Sequence, residues 1–283
     1  MGKLEITPDS AQHIGERGEQ QDAYGCFDYA ANAVTHAGYL AVVADGMGGM
    51  VLGKEAAVVA VSAFIDAYGK KAGKAIPDAL RQAAFEANAA VLGMAGERGV
   101  RGETGTTLIA AVIRDDELYW ISVGDSRIYL LDRQSIAQLN EEHNLKSRLE
   151  RLAARGLVDA EEALTHPQRE ALLSYIGIED LTEMDIPRTP VKLARGCCVL
   201  LCSDGLYRAL PDEEILSAAW RSAPREMARE LVAAAIGKGK RHQDNVTAIT
   251  LTLDGGCDQA ADIPGEARIG GYRGITLRLS APK

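Results

Sequence analysis

Four aspartates stand in short motifs spread along most of the chain: Gln21-Asp22, Val42-Val43-Ala44-Asp45-Gly46-Met47-Gly48-Gly49, Leu201-Cys202-Ser203-Asp204-Gly205-Leu206 and Gln243-Asp244-Asn245-Val246-Thr247. Apolar runs adjoin three of them, so carboxylates are expected at the ends of buried strands. A carboxylate in that position is costly unless it is paired or binds a cation. Several together point to a hard-metal site of oxygen ligands, with Mg²⁺ or Mn²⁺ as the natural occupants. Two divalent ions about 4 Å apart need a shared carboxylate. Asp45 is the best candidate, because Gly46 beside it lets a backbone carbonyl approach a metal as well. Asp204 and Asp244 can complete one ion's shell, and Asp22 can orient water on the other. Such a pair lowers the pKa of a bridging water and supplies hydroxide near neutral pH. Arg17, five residues before Asp22, can grip a phosphate with two parallel hydrogen bonds. The implied reaction is metal-assisted hydrolysis of a phosphate ester.

The elements that must carry these groups follow from periodicity. Strands are expected from about Leu4 to Ile14, after Asp22, and from Gly38 to Ala44, the last being a short apolar run that ends at Asp45. Helical spacing runs from about Lys54 to Lys71, and Pro77-Asp78 opens a second helix that continues to about Met94. Four short runs between Thr106 and Leu139 read as a meander with tight turns at Asp115-Asp116 and Asp132-Arg133. From about Glu141 to Leu181 the chain turns charged, helical in pattern and broken by Gly156 and Pro167, as an insertion over a sheet. Cys197–Cys202 is again a strand, helices follow at about 212–220 and 224–237, and Val246–Leu253 is a final buried strand. Helices grouped apart from sequential strands predict an α+β layering. The segment 254–283 reads as a polar linker followed by a basic tail, in which Tyr272–Leu279 is either an added edge strand or loose chain.

Composition narrows the class. The 283 residues carry a formal net charge of -9 and no basic stripe interleaved with aromatics, which argues against nucleic-acid binding. No run of about 20 apolar residues crosses a membrane, and the first residues are too acidic for a signal peptide. Met1-Gly2 lacks the later hydroxyl residue of a myristoylation signal. The five cysteines are odd in number and lack paired CxxC spacing, so they read as reduced, small hydrophobic residues of a cytosolic protein.

Six motifs, in order, resemble the metal-dependent Ser/Thr protein phosphatases of type 2C, the PPM family. They are Arg17-Gly18-Glu19-Gln20-Gln21-Asp22, Ala44-Asp45-Gly46-Met47-Gly48-Gly49, Thr104-Gly105-Thr106-Thr107, Val123-Gly124-Asp125-Ser126-Arg127, Ser203-Asp204-Gly205-Leu206 and Asp244-Asn245-Val246-Thr247. Any one alone is weak, because Asp-Gly is common in turns. The resemblance runs from about residue 10 to residue 253. It implies a four-layer α-β-β-α sandwich with a central antiparallel β-sandwich and metals in a cleft at one end, all within a phosphatase domain over 1–253. By similarity, Asp45, Asp204 and Asp244 bind the first metal. Asp45 and the Gly46 carbonyl bind the second, with Asp22 in its water shell, and Asp125 with Asp204 holds a weaker third. Arg17 binds the substrate phosphate, and about 144–190 forms a flap shaping substrate access. The implied function is hydrolysis of phosphoserine and phosphothreonine in proteins, with a Ser/Thr kinase or its substrates among the partners.

Three positions depart from that family. Gln20 stands where Asn is usual, and the longer side chain is expected to shift a neighbouring hydrogen bond. Met47 replaces a histidine of animal members proposed as general acid, as in bacterial members, which leaves His143 as the best-placed alternative acid. The stretch Leu172–Gly177 lacks the usual basic character. Arg148, Arg151 and Arg155 share one helical face, read either as a solvated face paired with Glu141, Glu142 and Glu150 or as a docking patch. Two competing functions are a catalytically silent phosphoprotein-binding scaffold and a hydrolase of small phosphate esters. Ordinary nucleotide hydrolysis is disfavoured because no GxxxxGK[ST] loop is present.

Overall fold

The computed structural model describes residues 4–29, 38–47, 50–70 and 75–253; the linker and tail over 254–283, with the candidate strand Tyr272–Leu279, lie outside the described residues. The strands are β1 (Ile6–His13), β2 (Asp22–Asp28), β3 (Tyr39–Asp45), β4 (Leu108–Arg114), β5 (Glu117–Val123), β6 (Arg127–Leu131), β7 (Ile136–Gln138), β8 (Val191–Lys192), β9 (Cys198–Cys202) and β10 (Val246–Leu253). The helices are α1 (Gly53–Gly69), α2 (Ile76–Arg98), α3 (Leu145–Ala154), α4 (Ala160–Thr165), α5 (Asp204–Tyr207), α6 (Asp212–Ala219) and α7 (Met227–Gly237). They build two five-stranded antiparallel sheets, one ordered β1-β10-β9-β6-β7 and the other β2-β3-β4-β5-β8.

Strand periodicity decides which layer each side chain enters. In β9, Val199 and Leu201 face the sandwich interior, where they join Ala41, Val43, Ile109 and Trp120. Their neighbours Cys198, Leu200 and Cys202 point the other way, onto Ile215, Leu231 and Ala235 of α6 and α7. One strand thus serves two cores by alternation. On the far side α1 and α2 pack on each other and on the second sheet. Their contact is rich in alanine (Ala56, Ala57, Ala60, Ala83, Ala84, Ala87), all fully buried around Phe64 and Leu80. Full burial of each large apolar side chain contributes roughly 1.5–3 kcal/mol. The result is the expected α-β-β-α layering.

Helix ends follow local chemistry. Pro77 occupies the first turn of α2, and Gly99, at φ 70°, closes it with an N–H to the carbonyls of Ala95 and Gly96. Asn144 caps α3 by accepting from Ser147 N–H at 2.8 Å.

Two sequence expectations change. The four runs between Thr106 and Leu139 are strands, but they are not one meander. β4 and β5 pair in one sheet and β6 and β7 in the other, the chain crossing between sheets at Gly124-Asp125-Ser126. The charged segment after Glu141 is helical only in α3 and α4. Beyond these it is irregular, tied to the sandwich by bridges of Thr106 with Ile176 and Ser122 with Asp185.

Candidate active site

Strand register gathers the carboxylates. Asp22 opens β2 and Asp45 closes β3, and the two lie directly opposite each other. Asp204 follows the end of β9, and Asp244 lies two residues before β10, strands whose ladder ends at Cys202 and Ala248. Asp125 sits on the crossover just before β6, whose first residue, Arg127, pairs with Cys202. Five carboxylates therefore share one rim of the sandwich, two from one sheet, two from the other and one from the connection between them.

A scaffold of hydroxyls and amides holds the rim. Thr106 Oγ1 donates to the Asp45 carbonyl at 2.8 Å, and Thr107 N–H donates to it at 2.9 Å. Asp45 N–H donates to Thr107 Oγ1 at 3.0 Å, and that oxygen is 2.8 Å from Ser126 Oγ. Asp22 Oδ2 accepts from Ser203 Oγ at 2.8 Å and Thr247 Oγ1 at 2.6 Å. Asn245 Nδ2 donates to the carbonyls of Ile14 and Glu19 while its Oδ1 accepts from Gln21 N–H at 2.7 Å. That one side chain pins the loop carrying Arg17. Gln20 Oε1 accepts from Asp22 N–H at 3.0 Å. Two glycines are required by close approach: a Cβ at Gly46 would lie 2.4 Å from the Gly53 carbonyl oxygen, and one at Gly205 would lie 2.1 Å from that of Asn245.

Electrostatically the rim wants positive charge. Burial, and then neighbouring carboxylates, push the Asp45 carboxyl well above its usual range. Burial likewise raises Asp22 and Asp204, and Asp125 is raised to about 7 by burial and then by Asp204. Two buried carboxylate oxygens, Asp22 Oδ1 and Asp204 Oδ1, have no hydrogen-bond partner. Unpaired buried anions of this kind are what a divalent cation with oxygen ligands satisfies, so the residues fit such ions. Among the described residues, no three His, Cys, Asp or Glu are drawn into a ready-made chelate. Two guanidiniums engage the rim instead. Arg17 Nη2 lies 2.6 Å from Asp244 Oδ2, and Arg208 Nε lies 3.1 Å from Asp204 Oδ2. Arg208 belongs to no motif. The only signal for it is its place four residues after Asp204, on the same face of a helical turn.

Other candidates fall outside this chemistry. His143 is buried, and its Nδ1 accepts from Gly124 N–H at 3.2 Å. Burial pushes its imidazole down to about 4, so at neutral pH it is an uncharged structural acceptor, poorly suited to act as an acid. Of the partners expected for the arginine face, Arg151 takes Glu141, but Arg148 pairs with Glu183, while Glu142 is held by Arg127 and Glu150 by Arg169. Cys202 is fully buried and its thiol is pushed far up by burial, which suits a strand residue and not a nucleophile.

Comparison with known proteins gives a consistent picture. Residues 11–238 match the family model described as Protein phosphatase 2C. The serine/threonine phosphatase stp of Listeria monocytogenes is 32% identical over 222 residues, spanning 76% of this chain and 84% of that protein. The crystal structure of the Mycobacterium tuberculosis serine/threonine phosphatase PstP/Ppp superposes with a TM-score of 0.71 at 27% identity, covering 89% of this chain and all of that one (100%). A PstP catalytic domain in complex with two manganese ions superposes with a TM-score of 0.70 at 25% identity, covering 89% of this chain and 100% of that one.

Proposed function

The chain belongs to the protein phosphatase 2C family, and we propose that its carboxylate rim is the active centre of that family's reaction. The protein is a metal-dependent Ser/Thr protein phosphatase using Mn²⁺ or Mg²⁺, and its substrates are phosphoproteins. The observation that carries the site assignment is the convergence of Asp22, Asp45, Asp125, Asp204 and Asp244 on one rim with two orphaned buried oxygens. In this reading Asp45, Asp204 and Asp244 would hold one ion and Asp45 with the Gly46 carbonyl a second, with Asp22 placed to hydrogen-bond water beside it. Such ions would supply Lewis acidity and lower the pKa of a water nucleophile.

The chain's own residues do the rest. Thr106 and Thr107 fix the Asp45 backbone from two sides. Ser203 and Thr247 occupy one oxygen of Asp22 and leave Oδ1 free to orient water. Asn245 holds the Arg17 loop at the rim, and the half-exposed Arg17 side chain presents its fork to a substrate phosphate. We assign residues 1–253 to one phosphatase domain and 144–190 to its flap. No helix among the described residues is long and apolar enough to cross a membrane. A cytoplasmic setting, with a Ser/Thr kinase or its substrates as partners, completes the proposal.

The test is release of phosphate from a phosphothreonine peptide with Mn²⁺, with and without EDTA, beside Asp204→Asn. Turnover that needs both metal and Asp204 is the expected result. Turnover that survives in the folded Asp204→Asn protein would remove Asp204 from the site.

A further inference from the structure

We propose that Arg208 is a tethered cation that takes the place of a third divalent ion between Asp125 and Asp204. The inference rests on the metal-centre reading above and departs from the expectation that those two aspartates bind a metal together. Arg208 Nε lies 3.1 Å from Asp204 Oδ2, and Nη2 lies 3.6 Å from Asp125 Oδ2. The same Nη2 lies 3.4 Å from Glu170 Oε2, a residue of the irregular segment over the sandwich.

An exposed ion pair contributes little, and the Arg208 side chain is 47% exposed. Its partners are different. The Asp125 side chain is 9% exposed and that of Asp204 is 14% exposed. Two desolvated anions beside each other need a compensating charge, and removing it would leave both buried and unpaired.

The position is built. Asp204 and Arg208 are spaced i, i+4 across α5, which puts both on one face. Tyr207 between them donates its hydroxyl to the Asp125 carbonyl at 3.1 Å. The Arg127 guanidinium lies over the Tyr207 ring, 3.8 Å from its centre, and Arg127 is itself held by Glu142 at 2.6 Å. The turn carrying Arg208 is therefore anchored to the backbone of the aspartate it neutralises.

The two oxygens of Asp204 divide the work. Oδ2 faces Arg208, and Oδ1 is buried without a partner. Arg208 therefore leaves Oδ1 available to a catalytic ion while occupying the side shared with Asp125. A divalent ion placed between Asp125 and Asp204 would meet the guanidinium at close range in a poorly screened site, where like charges repel strongly.

The experiment is the Mn²⁺ stoichiometry of the full chain by equilibrium dialysis and calorimetry, with Arg208→Gln, Arg208→Lys, Asp125→Asn and Arg208→Gln/Asp125→Asn compared at one ionic strength. Circular dichroism verifies folding. The wild type and Asp125→Asn are expected to bind two ions. Arg208→Gln gains a third site at least about tenfold tighter than any residual third binding in the wild type. The double variant loses that site, and Arg208→Lys, which keeps the charge, stays at two. Three ions in the wild type, one of them lost in Asp125→Asn, would overturn the inference while leaving the metal centre intact. An Arg208→Gln protein that is folded and still binds two would overturn it as well. Absence of any Mn²⁺ binding in the wild type would overturn the metal-centre reading and this inference together.

Discussion

Replacing His143 by glutamine tests whether its role is structural. In the folded chain the imidazole is buried and accepts from Gly124 N–H, and burial lowers its pKa from 6.5 to about 4. The unfolded chain therefore takes up a proton first as the pH falls. With the folded pKa depressed, the neutral ring's contribution is fully present above about 6.5 and is lost as the pH drops toward 4. A gap of about 2.5 pKa units corresponds to about 3 kcal/mol, of which about 2 kcal/mol is lost between about pH 7.5 and pH 5. The glutamine keeps an acceptor for the Gly124 N–H and does not titrate. Urea unfolding in EDTA at the two pH values should show the wild type losing about 2 kcal/mol more than His143→Gln. The raised aspartates act in the opposite sense, because their protonated form is favoured by folding and their contribution fades as pH rises. They do so in both proteins, so the comparison cancels them. Parallel pH dependences in the two proteins would refute the buried, neutral histidine and reopen its candidacy as an acid.

The remaining predictions concern the rim. Asp45→Asn and Asp204→Asn should each lower kcat at least about a hundredfold, as expected for a lost catalytic metal ligand; near-normal turnover in folded proteins would sink the ligand assignment. Arg17→Ala should raise KM more than it lowers kcat, because phosphate binding is largely a ground-state interaction, and an unchanged KM would reassign Arg17 to its ion pair with Asp244. Asn245→Ala removes three hydrogen bonds to the Arg17 loop and should cost about 2–4 kcal/mol in urea unfolding. A loss below about 0.5 kcal/mol would mean that the loop is held elsewhere.

Much of the site was legible because its logic is local. An apolar run that ends in an aspartate followed by glycine specifies a buried strand, a carboxylate at its mouth and a backbone able to turn sharply, and Asp45 and Asp204 both obey it. The partners were not legible, since they depend on contacts far apart in the chain. Ser203 and Thr247 reach Asp22 across sequence separations of 181 and 225 residues. The switch of sheets between β5 and β6 was hidden for a different reason. Alternation says that a strand has two faces, and says nothing about which sheet it joins. Arg208 escaped because a lone arginine after a helical turn carries no pattern. The segment after Glu141 misled because charged composition permits a helix without requiring one, and Gly156 and Pro167 mark only two of its breaks.

The division of the rim between the sheets has a mechanical consequence. Asp22 and Asp45 ride on one sheet, and Asp204 and Asp244 on the other. The aliphatic filling between them is therefore a spacer that gauges the gap between the two halves of the centre. Sheets packed face to face stand about 10 Å apart, and a side chain that grows or shrinks in that layer tilts one half against the other. Val43, Ile109, Leu201 and Ile249, all fully buried and without a polar atom in their side chains, thereby act as the shims that set the caliper.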